Sequence, residues 1–265
     1  MRALQARDVS VRLGGKTVVS GASLSVRPGR VTVLIGPNGA GKSSLMSALA
    51  GDVVPAMGSV TLDGAPLGSF KPGELARRRA VLAQQVELAF PFTVDEVARL
   101  GLPAGLPRAE ADKVVAEALA AVDLAGAGPR SSTAMSGGER QRAHLARVLA
   151  QLAAAPDGRP RYLLLDEPTS SLDLTHQLAT LALARRHAAA GGGALAVLHD
   201  VNLAAMVADE LVAMKAGRIV AAGPPATVLT DETVAAVYDV AANVGVAPDG
   251  PFLLPQTARP LRGPG

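Results

Sequence analysis

Residues 36–43 have the spacing with the clearest chemical meaning in this sequence. They read GPNGAGKS and lie between an apolar run, residues 31–35, and a helix-like stretch. In such a pattern glycine N–H groups curve around a phosphate, a lysine adds charge beside the outer phosphates, and a serine hydroxyl is placed for Mg²⁺. The spacing predicts a nucleoside triphosphate site. The residues expected to bind there are Gly36, Pro37, Asn38, Gly39, Ala40, Gly41, Lys42, Ser43 and Ser44.

Two acidic residues follow another apolar run. Asp166 and Glu167 come directly after residues 162–165, which read YLLL. Two unpaired carboxylates at a strand end would be costly as structure alone. Beside a phosphate loop, Asp166 suits holding Mg²⁺ through water, and Glu167 suits orienting or deprotonating an attacking water. The two patterns together predict phosphoryl transfer to water.

A pair of glycines precedes a long helical pattern. Ser136 can cap this helix, and Gly137 and Gly138 leave exposed N–H groups that can face phosphate oxygens. Apolar residues recur at helical spacing from Leu145 to Leu152. An ordinary capped helix has the same pattern, so these residues alone leave a structural cap and a second phosphate site as alternatives.

The elements that position these residues follow from the spacing of apolar side chains. Alternating stretches near the start predict antiparallel strands, and solid apolar runs predict buried parallel strands. The pattern is helical between about residues 86 and 155, which predicts a helical insertion into an α/β fold. We expect one domain, in which 1–85 and 156–225 form the catalytic core, 86–155 a helical subdomain and 226–265 a C-terminal appendix.

Composition excludes several classes of function. The chain has no cysteine, its four histidines are scattered, and its net charge is +3 with 2% aromatic residues. Thiolate metal sites and aromatic stacking of single-stranded nucleic acid are therefore disfavoured, and no nucleic-acid partner is expected. The basic run at residues 77–79 is predicted to be a solvated helix face. No apolar run has the length of a membrane span, so we expect a cytosolic chain that meets a membrane only through a partner.

In their order, these motifs resemble the ATP-binding cassette (ABC) family over nearly the whole chain. Residues 135–139, MSGGE, are similar to the family signature, which usually begins with Leu and ends with Gln. YLLLDEPTSSLD is similar to the Walker B strand, catalytic glutamate and D-loop, which closes at Asp173. VLHD places His199 at the switch histidine, and VLAQQ supplies the Q-loop, with Gln84 aligned to the family glutamine and Gln85 as the alternative.

The resemblance implies a fold and two cofactors. The fold is a P-loop NTPase core with a RecA-like mixed sheet, an N-terminal antiparallel β subdomain and an inserted α-helical subdomain. The cofactors are ATP and Mg²⁺, with Ser43, Gln84 and Asp166 at the metal.

It also implies a homodimer. In this family two chains enclose two ATP molecules head to tail, and the signature of one chain grips the γ-phosphate bound by the other. By this resemblance Glu167 and His199 are catalytic, and Asp173 lies at the nucleotide. The signature residues that would contact it are Ser136, Gly137, Gly138 and Glu139.

One position departs from the family pattern. Members commonly stack adenine on an aromatic residue upstream of the phosphate loop. Here only Arg12 and Leu13 stand at that place, so they are the expected adenine contacts and base selectivity is expected to be loose.

The region after the Q-loop resembles one branch of the family, the importers of iron-siderophores, haem and cobalamin. In that branch the region receives the coupling helix of the permease, which makes residues 87–93, from Glu87 to Thr93, the expected docking segment. Phe90 and Phe92 have two alternatives, to fill that groove or to pack within the chain.

Later stretches, including VLTDETVAAVYDV, are most similar to haemin importers. The resemblance implies the ATP-hydrolysing motor of a bacterial haemin importer, peripheral on the cytoplasmic face of the inner membrane. Its partners would be a transmembrane permease dimer and, indirectly, a periplasmic substrate-binding protein. The alternatives are a ferric-siderophore or cobalamin importer, or a soluble ABC ATPase such as an iron–sulfur assembly factor.

Overall fold

The strands form two sheets in the computed structural model, which describes residues 2–84, 90–154, 158–247 and 253–258. The first sheet contains β1 (Leu4–Leu13), β2 (Lys16–Val26), β4 (Met57–Leu62) and β5 (Ala65–Pro66), in the antiparallel order β2-β1-β4-β5. The second contains β3 (Val31–Ile35), β6 (Arg79–Leu82), β7 (Tyr162–Asp166), β8 (Gly193–Val197), β9 (Glu210–Lys215) and β10 (Arg218–Gly223). Its order is β10-β9-β3-β8-β7-β6, and only the β9–β10 pair is antiparallel.

The helices complete an α/β architecture. They are α1 (Lys42–Ala50), α2 (Pro72–Arg78), α3 (Val94–Arg99), α4 (Arg108–Ala121), α5 (Gly137–Ala153), α6 (Leu174–Ala189), α7 (Val201–Val207), α8 (Pro225–Val228) and α9 (Asp231–Tyr238). The three helices α3, α4 and α5 lie between β6 and β7 in the sequence, and we refer to them together as the helical segment. The residue limits of a core, a helical subdomain and an appendix stay a prediction.

The parallel sheet is buried on both faces. Every residue of β3, β7 and β8 is buried, as the solid apolar runs predict. Along β3, Val31, Val33 and Ile35 pack into a cluster shared with the helical segment, whereas Leu34 packs against α1 and the antiparallel sheet. The carboxyl ends of β3, β7 and β8 therefore meet at one edge, held between two apolar layers.

The prediction for the basic run is wrong for two of its three residues. Arg78 is 5% exposed, and its guanidinium donates to the Asp63 carboxylate and to the Pro160 carbonyl oxygen. Arg79 is only partly exposed and forms an ion pair with Asp52 at 3.5 Å. The acidic partners and the carbonyl oxygen compensate for burial of the two positive charges. These contacts also connect α2 and β6 to neighbouring parts of the chain.

None of the helices in the described ranges combines the length and the apolar character that a membrane-crossing helix needs.

Candidate active site

The phosphate loop leaves β3 and enters α1 through two glycines with no room for a side chain. At Gly36 (φ 144°) a Cβ atom would lie 2.1 Å from the Met214 carbonyl oxygen of β9. At Gly41 (φ 95°) it would lie 2.5 Å from the Val18 carbonyl oxygen of β2. The loop is therefore held between the two sheets, and its shape requires glycine at both ends.

The first turn of α1 carries no competing cap. Gly41 is its N-cap residue, no side chain accepts a hydrogen bond there, and no acidic residue stands in the turn. Its N–H groups and the positive end of the helix dipole together favour an anion. This is the arrangement that a phosphate group requires.

Lys42 is held against the loop. Its side chain is buried, and Nζ donates to the carbonyl oxygens of Gly36 and Pro37 at 2.8 and 2.9 Å. Burial lowers the pKa of Lys42, and the charges of Glu167 and Asp166 act in the opposite direction. The ammonium group thus lies between the loop and two acidic residues, where it adds positive charge next to the bare helix end.

Ser43 and Asp166 form the contact expected of a magnesium site. The Ser43 hydroxyl donates to Asp166 Oδ1 at 3.1 Å, which joins the first turn of α1 to the end of β7. Burial raises the pKa of Asp166, and the nearby charge of Glu167 adds to the rise, whereas the hydrogen bond from Ser43 opposes it. Hydroxyl and carboxylate oxygens are suitable Mg²⁺ ligands, and a nearby dication would favour the ionised carboxylate.

Within the described parts of the chain, no cluster of three or more His, Cys, Asp or Glu side chains could hold a metal.

Glu167 lies at the centre of the site. Its backbone is in the left-handed region (φ 49°), and its N–H donates to the Val197 carbonyl oxygen at 3.2 Å. Its Oε1 lies 2.6 Å from His199 Nε2, and its Oε2 accepts a hydrogen bond from the Gln84 side-chain amide at 2.8 Å. The parallel pairing of β7 with β8, which sets Asp166 beside Val197, brings Glu167 and His199 together.

Gln84 and His199 thus both contact Glu167, and the roles of the three residues at a nucleotide stay predictions. Gln85, the alternative Q-loop residue, lies outside the described residues, as does Glu87 of the predicted docking segment. Ser44 is placed in the first turn of α1 beside Ser43, and its contact with a nucleotide stays a prediction.

The predicted signature begins a helix with a capping box. Ser136 is the N-cap of α5: its hydroxyl accepts from the Glu139 N–H at 3.2 Å, and its own N–H donates to Glu139 Oε2 at 2.9 Å. Arg130 Nη1 donates to Glu139 Oε1 at 2.8 Å. These hydrogen bonds, the one from the Ser136 N–H first, lower the pKa of Glu139 to about 2. Ser136 and Gly137 are exposed, so this surface is open to a second molecule.

Gly138 joins the signature to the D-loop, residues 171–173. A Cβ atom on Gly138 would lie 3.0 Å from the Ser171 carbonyl oxygen. Asp173 ends the loop as the N-cap of α6 and accepts from the His176 N–H at 3.0 Å. The D-loop is therefore packed against α5 at one end and fixed to α6 at the other.

Two glutamines that the sequence reasoning missed support these loops. Gln141 on α5 donates to the Glu167 carbonyl oxygen at 3.1 Å. Gln177 on α6 donates to the carbonyl oxygens of Thr169 and Leu172 at 3.2 and 3.0 Å. Each lies in the first turns of a helix that begins beside a loop of the site. This position in the sequence could have identified both glutamines as candidates for supporting the loops.

The adenine contact stays a prediction. Arg12 and Leu13 end β1; Leu13 is 47% exposed, and Arg12 Nη2 donates to the Gly15 carbonyl oxygen at 3.3 Å. Leu13 offers a small apolar surface in place of an aromatic ring.

The two phenylalanines of the docking segment differ in their surroundings. Phe90 is 69% exposed, whereas Phe92 is partly buried and packs against the core cluster of the helical segment. Their rings lie edge to face with centroids 6.3 Å apart. Phe92 therefore packs within the chain and Phe90 is exposed, and a permease contact at either ring stays a prediction.

Comparison with known proteins identifies the family. The sequence profile of the ABC transporter family matches residues 19–170. This chain belongs to the ABC transporter family. The match includes the phosphate loop, the signature and the Walker B strand, and membership of this family implies that the chain binds ATP.

Two curated relatives resemble the ABC chain along nearly its whole length. The hemin import ATP-binding protein HmuV of Rhizobium meliloti (strain 1021) is 52% identical over 259 residues, which are 96% of this chain and 99% of that protein. HmuV of Chelativorans sp. (strain BNC1) is 50% identical over 257 residues, with coverage of 96% and 99%.

Solved structures confirm the predicted fold. A structure described as the ATP binding subunit of an ABC transporter superposes with a TM-score of 0.74 at 26% identity, covering 84% of this ABC chain and 90% of that chain. The ATP-binding cassette MJ1267 gives a TM-score of 0.77 at 24% identity, with coverage of 90% and 99%. The P-loop core with its antiparallel subdomain and helical insertion is therefore the ABC ATPase fold.

Proposed function

We propose that this chain is the ATP-hydrolysing motor of a bacterial haemin importer, peripheral on the cytoplasmic face of the inner membrane. The observation that supports the cargo is the similarity to two hemin import ATP-binding proteins, at 52% and 50% identity over almost the full chain. The observation that supports hydrolysis is the contact of Glu167 with both Gln84 and His199 beside the Ser43–Asp166 pair.

Each residue of the site has a role that follows from its surroundings. Lys42 and the bare first turn of α1 stabilise the charge of the β- and γ-phosphates. Ser43, Asp166 and Gln84 would hold Mg²⁺, which supplies charge neutralisation at the phosphates. Glu167 orients the attacking water and accepts its proton, and His199, whose Nε2 lies 2.6 Å from Glu167 Oε1, keeps that carboxylate in position.

A homodimer completes the site. The exposed Ser136 and Gly137 would contact the γ-phosphate of the ATP bound by a second copy, with Gly138, Glu139 and Asp173 beside it. A cassette of the same fold, MJ0796, has been solved as a dimer, and this observation supports the proposal of a dimer. Closure of the dimer would then depend on ATP, and opening would follow hydrolysis.

The permease would dock near Phe90, in the segment that follows the Q-loop. Phe90 is 69% exposed and stands before Thr93, the N-cap of α3. A movement of the permease at this segment reaches Glu167 through Gln84, which lies a few residues earlier in the chain. The periplasmic binding protein would act through the permease.

The test uses Glu167→Gln. The variant keeps the shape of the side chain but removes its basicity, so ATP binding is retained and turnover falls by about 1,000-fold or more. Its matched control is Glu117→Gln, a change of an exposed glutamate on α4, which leaves turnover unchanged. Wild-type turnover in Glu167→Gln would remove Glu167 from the catalytic role.

The cargo test is purification of the Glu167→Gln chain with ATP from detergent-solubilised membranes of its own source. The permease recovered in this way is then assembled with the wild-type chain, and stimulation of ATP turnover by a haemin-loaded binding protein would support the proposal. Stimulation by a binding protein loaded with a ferric siderophore or cobalamin would change the assigned cargo. Recovery of soluble proteins alone would contradict the importer assignment.

A further inference from the structure

A chain of four side chains joins the end of α4 to the D-loop. Asp123 follows α4 with φ 58°, and Arg142 on α5 donates to the carbonyl oxygens of Val122 and Asp123 at 3.1 and 3.0 Å. Arg142 Nη1 also lies 3.4 Å from Asp123 Oδ2. The arginine side chain is 12% exposed. Its hydrogen bonds hold the turn after α4 against α5.

His176 lies between this corner and the D-loop. Its Nδ1 is 2.9 Å from Asp173 Oδ1, and its Nε2 is 3.5 Å from Asp123 Oδ2. Each ring nitrogen therefore faces one carboxylate, so the side chain bridges the two aspartates. The charged groups in contact with the ring are Asp123 after α4 and Asp173 at the start of α6, and Arg142 on α5 is paired with Asp123.

This contact adds little to stability. The Asp123 and Asp173 side chains are 83% and 69% exposed, and ion pairs in such positions contribute little free energy of folding. The cap of α6 is the hydrogen bond from the His176 backbone N–H to the Asp173 carboxylate, so it does not need the imidazole ring. What the ring adds is a second connection, beyond the Gly138–Ser171 contact, between the helical segment and the D-loop.

We propose that His176 is a positioning residue that couples movement of the helical segment to the D-loop during ATP turnover. The inference rests on the proposed function, in which Ser136 on the same segment contacts the ATP of a second copy. When the segment moves with its signature, the Asp123–His176–Asp173 connection carries the D-loop along with it.

The experiment measures ATP turnover, the KM for ATP and thermal unfolding in the assembled transporter. His176→Ala lowers kcat about fivefold, within the range that coupling residues reach, while KM and the unfolding temperature stay close to wild type. His176→Asn and His176→Gln can each keep one of the two contacts, and both are expected to be as slow as the alanine variant. Recovery of full turnover in either of them would show that one contact suffices and would overturn the coupling.

Asp123→Gly removes the carboxylate at the α4 end of the Asp123–His176–Asp173 connection. It does not strain the backbone, since glycine tolerates a positive φ. The double variant His176→Ala/Asp123→Gly is expected to be no slower than either single variant, whereas multiplied defects would contradict a shared connection. The matched control is Asp8→Gly, which also changes an aspartate with a positive φ (48°) and leaves turnover unchanged.

Thermal unfolding and the separation of kcat from KM distinguish coupling from a merely structural role, because a structural role would lower the unfolding temperature together with turnover. Wild-type kcat in His176→Ala would overturn the proposal. Glu167→Gln is measured in parallel: if it stays active, the proposed function fails, and if it is inactive while His176→Ala matches wild type, only the coupling fails.

Discussion

Two helix starts in this molecule have similar glycine-rich sequences and opposite chemistry. The first turn of α1 has no side-chain cap and no acidic residue, and Lys42 lies beside it. The first turn of α5 has a complete capping box, in which Ser136 and Glu139 exchange hydrogen bonds, and Glu139 is also paired with Arg130.

The difference shows that glycine spacing alone does not define a phosphate site. The α1 start presents free donors and positive charge, so it can bind an anion within a single chain. The α5 start already satisfies its N3 donor and holds a carboxylate, so a phosphate there needs positive charge from elsewhere. We therefore expect ATP binding to depend on α1 and turnover to depend on both.

The largest effect is expected at the first helix start. Lys42→Ala weakens ATP binding to the isolated chain by about 100-fold, because it removes a charge that the site holds close to the phosphates. Binding is measured by calorimetry at fixed salt, with Lys113→Ala, a change of an exposed lysine on α4, as the control. Unchanged affinity would show that the loop backbone alone accounts for binding.

The second helix start is tested by Ser136→Arg. ATP binding to the single chain stays at the wild-type level, whereas turnover falls by about 100-fold, because a bulky cation blocks contact with the second copy's nucleotide. Ser69→Arg, at an exposed serine outside the site, serves as the control for added size and charge. If turnover persisted in Ser136→Arg, the head-to-tail dimer would have to be abandoned.

The smallest effect is expected from Glu139→Gln. Turnover is expected to rise about twofold, because the variant loses a negative charge beside the predicted γ-phosphate contact. The effect is small because salt screens charges at the protein surface. Glu96→Gln is the matched control, because Glu96 caps α3 in the same way but away from the site. A tenfold change in either direction would mean that Glu139 does more than cap α5.

The same variant makes a prediction for acid stability. The pKa of Glu139 is about 2 in the folded chain, against an ordinary value of 4.5. A lowered pKa gives stability that is complete above the unfolded value and is lost as the pH falls from about 4.5 to about 2. Unfolding by denaturant across this range should show a shallower loss in Glu139→Gln, and parallel curves would contradict the assigned hydrogen bonds.

Local patterns predicted the parts of the site that depend on neighbouring residues. The phosphate loop, the buried strands and the cap at Ser136 each follow from a few consecutive side chains. What the sequence could not predict depends on partners far along the chain. Arg78 is buried because Asp63 and Pro160 meet it in the fold, and Gln141 serves Glu167 across 26 positions.

The contacts of Glu167 have a consequence for how the site could be regulated. Its two carboxylate oxygens have different partners, His199 on one side and Gln84 on the other. In the proposed function, Gln84 stands a few residues before the segment that would meet the permease, so a change at that segment would reach the catalytic carboxylate through the Gln84 contact. The rate of ATP hydrolysis would then report the state of the permease.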